Sequence, residues 1–190
     1  MAEQSVKKVQ SMDEPEEHLW LVDRDDKPVG SIRRQGVLSL EENGRGYTRA
    51  VGVFLTNSEG ELWVPRRGRH KKVAGGGLDF STGEHVGYSE SYDAAALRGM
   101  REELSMSPDP HKLLRIGRVP PFPGMPYFHE IYVYQSDAVP EYNKEDYDSY
   151  EWLNPQTVGD RLSGGEAAKE ILAPSIQLVL RHTKNERSSI

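Results

Sequence analysis

Two adjacent glutamates, Glu102 and Glu103, stand at the end of a segment with helical spacing, just after Arg98, Gly99 and Arg101. Positions 99, 102 and 103 lie three and four apart and therefore share one patch of helix surface. Neighbouring carboxylates repel each other and sit unfavourably at a helix C-terminus, the negative end of the backbone dipole. A divalent cation offsets both costs. A hard ion such as Mg²⁺ takes a few carboxylates and completes its shell with water and phosphate oxygens. Bound there, it polarises a phosphoryl oxygen and acidifies a water. The same residues also fit a solvated helix face in which Glu102 and Glu103 pair with Arg98 and Arg101, so spacing alone leaves both readings open. A second cluster gathers Arg66, Arg67, Arg69, Lys71 and Lys72 within seven residues. It reads either as a solvated loop or as an arm facing phosphate.

The bulk of the chain narrows the partners. With 24 Lys and Arg against 30 Asp and Glu, the 190 residues carry a formal charge of −6, which argues against general nucleic-acid binding. There is no cysteine, which excludes disulfides, thiolate zinc sites and cysteine nucleophiles. No apolar stretch follows Met1 as a signal peptide would require, and no run approaches the ~18 residues of a membrane span. The expectation is a cytoplasmic protein with a small-molecule partner, no nucleic acid and no membrane; a homodimer is left open.

The carboxylates must be held by a helix over Tyr92–Leu104. Ala96, Leu97, Met100 and Leu104 mark its buried face, Ser91 caps it with Asp93 in the first turn, and Ser107-Pro108-Asp109-Pro110 stops it. Ahead of it, residues 73–91 form a glycine-rich loop around a short strand at Leu78–Ser81. Before that, Tyr47–Thr56 and Glu61–Arg66 make a hairpin through Asn57-Ser58-Glu59-Gly60. A first hairpin joins 18–23 to 29–33 through Asp25-Asp26-Lys27-Pro28. Further strands are expected at 113–119, 127–135 and 147–153. Asn154-Pro155 starts a helix, and closing helices are expected over 164–172 and 174–183, with Pro174 as a break. The fold class is α/β (α+β) with a mixed sheet. One domain spans 18–184 between polar tails, 1–17 and 185–190, that are expected to be disordered.

The stretch from Glu84 to Met106 resembles the Nudix box, whose pattern is Gly, five residues, Glu, seven residues, then Arg-Glu-apolar-x-Glu-Glu-x-Gly-apolar. Glu90, Arg98, Met100, Glu102, Glu103 and Met106 fall in register. Residues 21–30, 49–67 and 151–155 are similar to the branch that contains isopentenyl-diphosphate isomerase, so the likeness covers roughly 18–182. It implies the Nudix α/β/α sandwich around a mixed β-sheet. It also implies hydrolysis, dependent on Mg²⁺ or Mn²⁺, of a nucleoside diphosphate linked to another group.

By that resemblance Glu102 and Glu103 are metal ligands and carry the catalysis, Arg66 and Arg67 contact phosphates, and Glu90 with Arg98 braces the loop against the helix. Three positions depart from the pattern. Glu84 stands where the first glycine is expected, unless Gly83 serves with one residue inserted; Gly99 replaces a glutamate, and Ser105 replaces the late glycine. Glu84 is a candidate to supply the missing carboxylate as a metal ligand, and Glu130 could also reach the site. His85 is either a site residue or a loop hydrogen-bonder. The general base lies between Glu103 and a loop acid, Glu141 or Glu145. Trp20, Tyr47, Phe122 and Tyr127 are candidates to meet a base. Two rival functions stand beside hydrolysis: a binding module that has lost turnover, with Gly99 as its support, and an isomerase, which by resemblance needs a cysteine that this chain lacks.

Overall fold

The computed structural model describes residues 17–37, 39–40 and 44–188. The expected N-terminal tail, 1–17, lies outside the described residues except for Glu17, which pairs with Arg34. Strands β1 (His18–Val22) and β2 (Pro28–Arg33) form a separate antiparallel hairpin. Its turn is held by the Asp23 carboxylate, which accepts from the N–H groups of Asp25 and Lys27, both at 2.9 Å.

The main sheet is built from β3 (Thr48–Thr56), β4 (Leu62–Arg67), β5 (Thr82–His85), β6 (Leu113–Val119), β7 (Tyr127–Gln135) and β8 (Tyr147–Leu153). The strands run β6-β7-β3-β4-β8, with β5 added on β3. β3 and β7 are parallel along their whole length, while β5, β4 and β6 meet their neighbours antiparallel. Helix α1 (Tyr92–Leu104) covers one face, where Ala96, Met100 and Leu104 pack on Val51, Val53 and Tyr132. Phe54 and Ile131 point to the other face, covered by α2 (Pro155–Ser163) and α3 (Leu172–Ser188) through Val158, Ile176 and Val179. The result is the expected α/β/α sandwich on a mixed sheet.

Three local expectations are corrected. The strand expected at Leu78–Ser81 lies one step later, at Thr82–His85. Leu78 and Phe80 are buried, so their alternation marks core packing, while the ladder is made by a glycine-containing stretch with no apolar pattern. The β3–β4 hairpin pairs only at Thr56 and Leu62, because β5 takes the ladder of β3 from Ala50 to Val53. Residues 164–171 form no helix; Ala168 instead bridges to Leu78. α3 starts at Leu172, so Pro174 sits in its first turn, where a missing N–H costs nothing. That helix runs to Ser188, past the Thr183 where the sequence places its end.

Candidate active site

α1 is fixed at both ends. The Ser91 hydroxyl accepts from the Ala94 N–H at 3.1 Å, and Ser105 closes the helix in the left-handed conformation, φ 50°. That conformation explains why the box pattern has glycine here. Between the caps, Arg98 ties the helix to the strand and loop before it. Its Nε and Nη2 donate to the two Glu90 oxygens at 3.0 and 3.2 Å, a bidentate contact. Nη2 also donates to the His85 carbonyl at 2.8 Å, and Nη1 reaches Glu84 at 3.0 Å and Glu102 at 3.2 Å. Hydrogen bonding to Glu90 and the Glu84 charge hold the guanidinium cationic against the cost of its burial. The Trp20 indole donates to the Glu90 carbonyl at 2.9 Å and packs on Tyr88, so this aromatic braces the loop.

Gly99 has a physical reason. A Cβ at this position would lie 2.6 Å from the Glu84 Cγ and 2.7 Å from the Thr82 Oγ1. No side chain fits while Glu84 crosses over the helix from β5. The glycine and the glutamate of the box pattern have therefore changed places, with the carboxylate now on the strand at 84 and the gap on the helix at 99. Gly83 pairs with Gly52 instead.

Burial raises the Glu84 carboxyl above its usual range, against the pull of Arg98. Glu103 is pushed up to about 7, chiefly by burial and then by the charges of Glu84 and Asp79; the Thr82 hydroxyl, buried and short of a full hydrogen bond, and Lys169 pull the other way. The Tyr147 hydroxyl donates to Glu103 at 3.2 Å. Glu102 is exposed. The chemistry of this set suits a divalent cation, because Glu84 and Glu103 are half-buried acids whose carboxyls are raised by that burial. Among the described residues no three such side chains already converge on one point. Arg98 holds Glu84 and Glu102, and closing the set on an ion means drawing them off the guanidinium.

Glu84 and Glu103 line a cavity of about 660 Å³ together with Arg67 and Lys169. The two cations are aimed by Asp79, only 2% exposed, which pairs with Arg67 Nη1 at 2.5 Å and Lys169 Nζ at 2.8 Å. Arg66 does not join them: its guanidinium pairs with Glu166 at 2.6 Å and bonds the Gly76 carbonyl. Strand alternation separates the two neighbours. Neither Asp79 nor Lys169 stood out in the sequence, since Lys169 lies in a stretch with helical composition. Glu130 is fully buried but pairs with Arg115 and Arg118, not with the site. Glu141 and Glu145 are exposed and do not line the cavity. His85 and Tyr127 do line it. Tyr47 and Phe122 border a different cavity, about 810 Å³, to which neither β5 nor α1 contributes a residue; the larger void is thus away from the carboxylates.

Comparison with known proteins follows the same lines. The family model described as NUDIX domain matches residues 46–173. A Nudix hydrolase of Deinococcus radiodurans is 36% identical over 87% of this chain and 95% of its own, and an isopentenyl-diphosphate Delta-isomerase of Serratia proteamaculans is 30% identical over 76% of this chain and 80% of its own. A solved crystal structure from D. radiodurans superposes with a TM-score of 0.73 at 36% identity, over 85% of this chain and 98% of that one. A MutT protein structure from Methanosarcina mazei matches in fold, with a TM-score of 0.56 at 18% identity over 71% of this chain and 94% of that one.

Proposed function

The chain belongs to the Nudix family, and from that premise we propose that it hydrolyses a nucleoside diphosphate linked to another group, using Mg²⁺ or Mn²⁺ held by Glu84, Glu102 and Glu103. The observation that carries this reading is the exchange between positions 84 and 99, which returns a third carboxylate to the end of α1. A bound ion there supplies Lewis acidity toward a phosphoryl oxygen and a more acidic water. Arg67 and Lys169, held by Asp79, grip the phosphates and oppose the charge that develops as the anhydride breaks. Glu103 is the one of the candidate bases Glu103, Glu141 and Glu145 that lines the cavity, and is the group placed to take a proton from the attacking water. Arg98 and Glu90 position the helix and touch no reacting atom.

Against the reading of a module that has lost turnover stands Glu84, whose side chain lies where one at position 99 would go. The isomerase of S. proteamaculans is a relative, yet a mechanism needing a cysteine has none in this chain. The reading is tested by thermal unfolding with and without saturating Mn²⁺, together with phosphate release from a panel of nucleoside diphosphate conjugates. The Mn²⁺ stabilisation of the wild type should shrink in Glu84→Gln, Glu102→Gln and Glu103→Gln, and turnover should fall by about a hundredfold or more in Glu103→Gln. Equal Mn²⁺ shifts in all four proteins would remove the metal assignment; no turnover on any conjugate would remove the hydrolase reading.

A further inference from the structure

Besides the cluster of Glu84, Glu103, Arg67 and Lys169, the cavity lining carries two charged side chains, Arg34, which is paired with Glu17, and Glu170, whose carboxylate lies close to Gly124. In the same cavity β5, β3 and β7 place His85, Ala50 and His129 side by side, since Ala50 is in register with both histidines. All three therefore point to one face of the sheet, and the small Ala50 leaves a slot between two imidazoles. Tyr127, two residues before His129 on the same face, sets its ring against both, with centroids 5.1 Å from His85 and 5.7 Å from His129.

Nδ1 of each imidazole is short of a full hydrogen bond, although the Tyr127 carbonyl lies near enough to the His129 ring to interact with it. Of the buried side-chain atoms so placed among the described residues, those on cavity-lining side chains are these two nitrogens. Leaving a buried polar atom unsatisfied is costly, and a pair of them on one shelf calls for a ligand that satisfies both. A half-turn about χ2 leaves each ring in its plane, so either nitrogen can be presented to the cavity without backbone movement. A neutral imidazole offers one donor and one acceptor; two of them match the mixed donor and acceptor edge of a planar heterocycle. Burial, with His85 and Lys169 nearby, keeps His129 neutral, its pKa lowered to about 3.

We propose that His129, His85 and Tyr127 form the subsite for the base of a nucleoside diphosphate, with Tyr127 as the stacking face and the two imidazoles reading the polar edge. The proposal rests on the diphosphate grip assigned above and adds the part of the substrate that the grip cannot distinguish. An alkyl group would leave both imidazoles unsatisfied and is disfavoured in this slot.

The test is calorimetric titration of the full chain with Mg²⁺, using non-hydrolysable methylene-bridged analogues: four ribonucleoside diphosphates, methylenediphosphonate itself, and the isopentenyl ester of methylenediphosphonate. At least one nucleoside analogue should bind about tenfold or more tighter than methylenediphosphonate and than the isopentenyl ester. His129→Phe should abolish that preference while leaving methylenediphosphonate affinity within about twofold, and His129→Gln should keep most of it. Tyr127→Leu, at a half-buried position, should lower nucleoside affinity alone, and it decides the matter if His129→Phe fails to fold. If methylenediphosphonate binds as tightly as every nucleoside analogue, or if the variants weaken all ligands equally, the base subsite is wrong and the diphosphate grip stands. If no ligand binds, the grip fails and the subsite with it.

Discussion

At residue 99 a helix-interior glycine would ordinarily be improved by alanine, by about 1 kcal/mol. Here the sign should reverse, because the added methyl meets Glu84 Cγ at 2.6 Å and Thr82 Oγ1 at 2.7 Å. Gly99→Ala and Gly99→Glu should each lose about 1–3 kcal/mol in chemical denaturation. In a Glu84→Gly background the loss from Gly99→Ala should shrink, leaving only what the Thr82 Oγ1 contact imposes, and the exchanged pair Glu84→Gly/Gly99→Glu should regain part of the Mn²⁺ shift that Glu84→Gly alone loses. Additive behaviour of the two positions would mean that they do not share one space. The Glu90–Arg98 pair was legible through the resemblance to the box and is present, while spacing left Glu102 and Glu103 open between a metal site and a solvated face. The exchange was not legible, since positions 84 and 99 meet only through tertiary packing. The placements of Arg66 and Lys169 were not legible for a related reason: which of two neighbouring arginines faces the cavity depends on strand alternation, and Lys169 arrives from a distant, irregular segment.

The elements that hold the site were read well where runs of apolar and aromatic residues mark them. Helix α1, with its cap at Ser91, and strands β6, β7 and β8 lie where their periodicity places them. β5 was missed because an edge strand bearing Gly83, Glu84 and His85 has no apolar alternation to detect. The C-terminus of α1 carries a measurable cost. Ser105 holds φ 50° without being glycine, so Ser105→Gly should raise stability by about 1 kcal/mol, seen as a rise of roughly 2–4 °C in Tm. An unchanged or lower Tm would mean that the Ser105 side chain contributes something its exposed position does not suggest. The N-terminal joint depends on Arg98. Arg98→Ala leaves Glu84 and Glu90 partly buried without their cation, and amide exchange across β5 and the 86–91 loop should quicken by about a hundredfold or more while β6 and β7 keep their protection. Uniform protection would show that the loop is held without the guanidinium.

For the molecule as a whole, the buried imidazoles set a response to acid. The pKa of His129 lies near 3 in the folded chain, through burial first and then through His85 and Lys169, with the Tyr127 carbonyl opposing. Its ordinary value is about 6.5. A folded pKa below the unfolded one means that its contribution is present above pH 6.5 and is lost as pH falls toward 3. His129→Gln should therefore flatten the fall in unfolding free energy between pH 6.5 and 4; an unaltered slope would mean that the ring is protonated without penalty. The sheet imposes a further condition, on when the molecule can form during synthesis. The central strand β3 has its longest partner in parallel β7, so Thr48 must wait for Tyr127 and Thr56 for Gln135. As the chain leaves the ribosome, the apolar run Ala50–Leu55 is complete long before the strand that covers its flank has been translated. Such late, non-local closure is slow and leaves an adhesive edge exposed in the interim, which makes this protein a candidate client for chaperones that hold nascent chains.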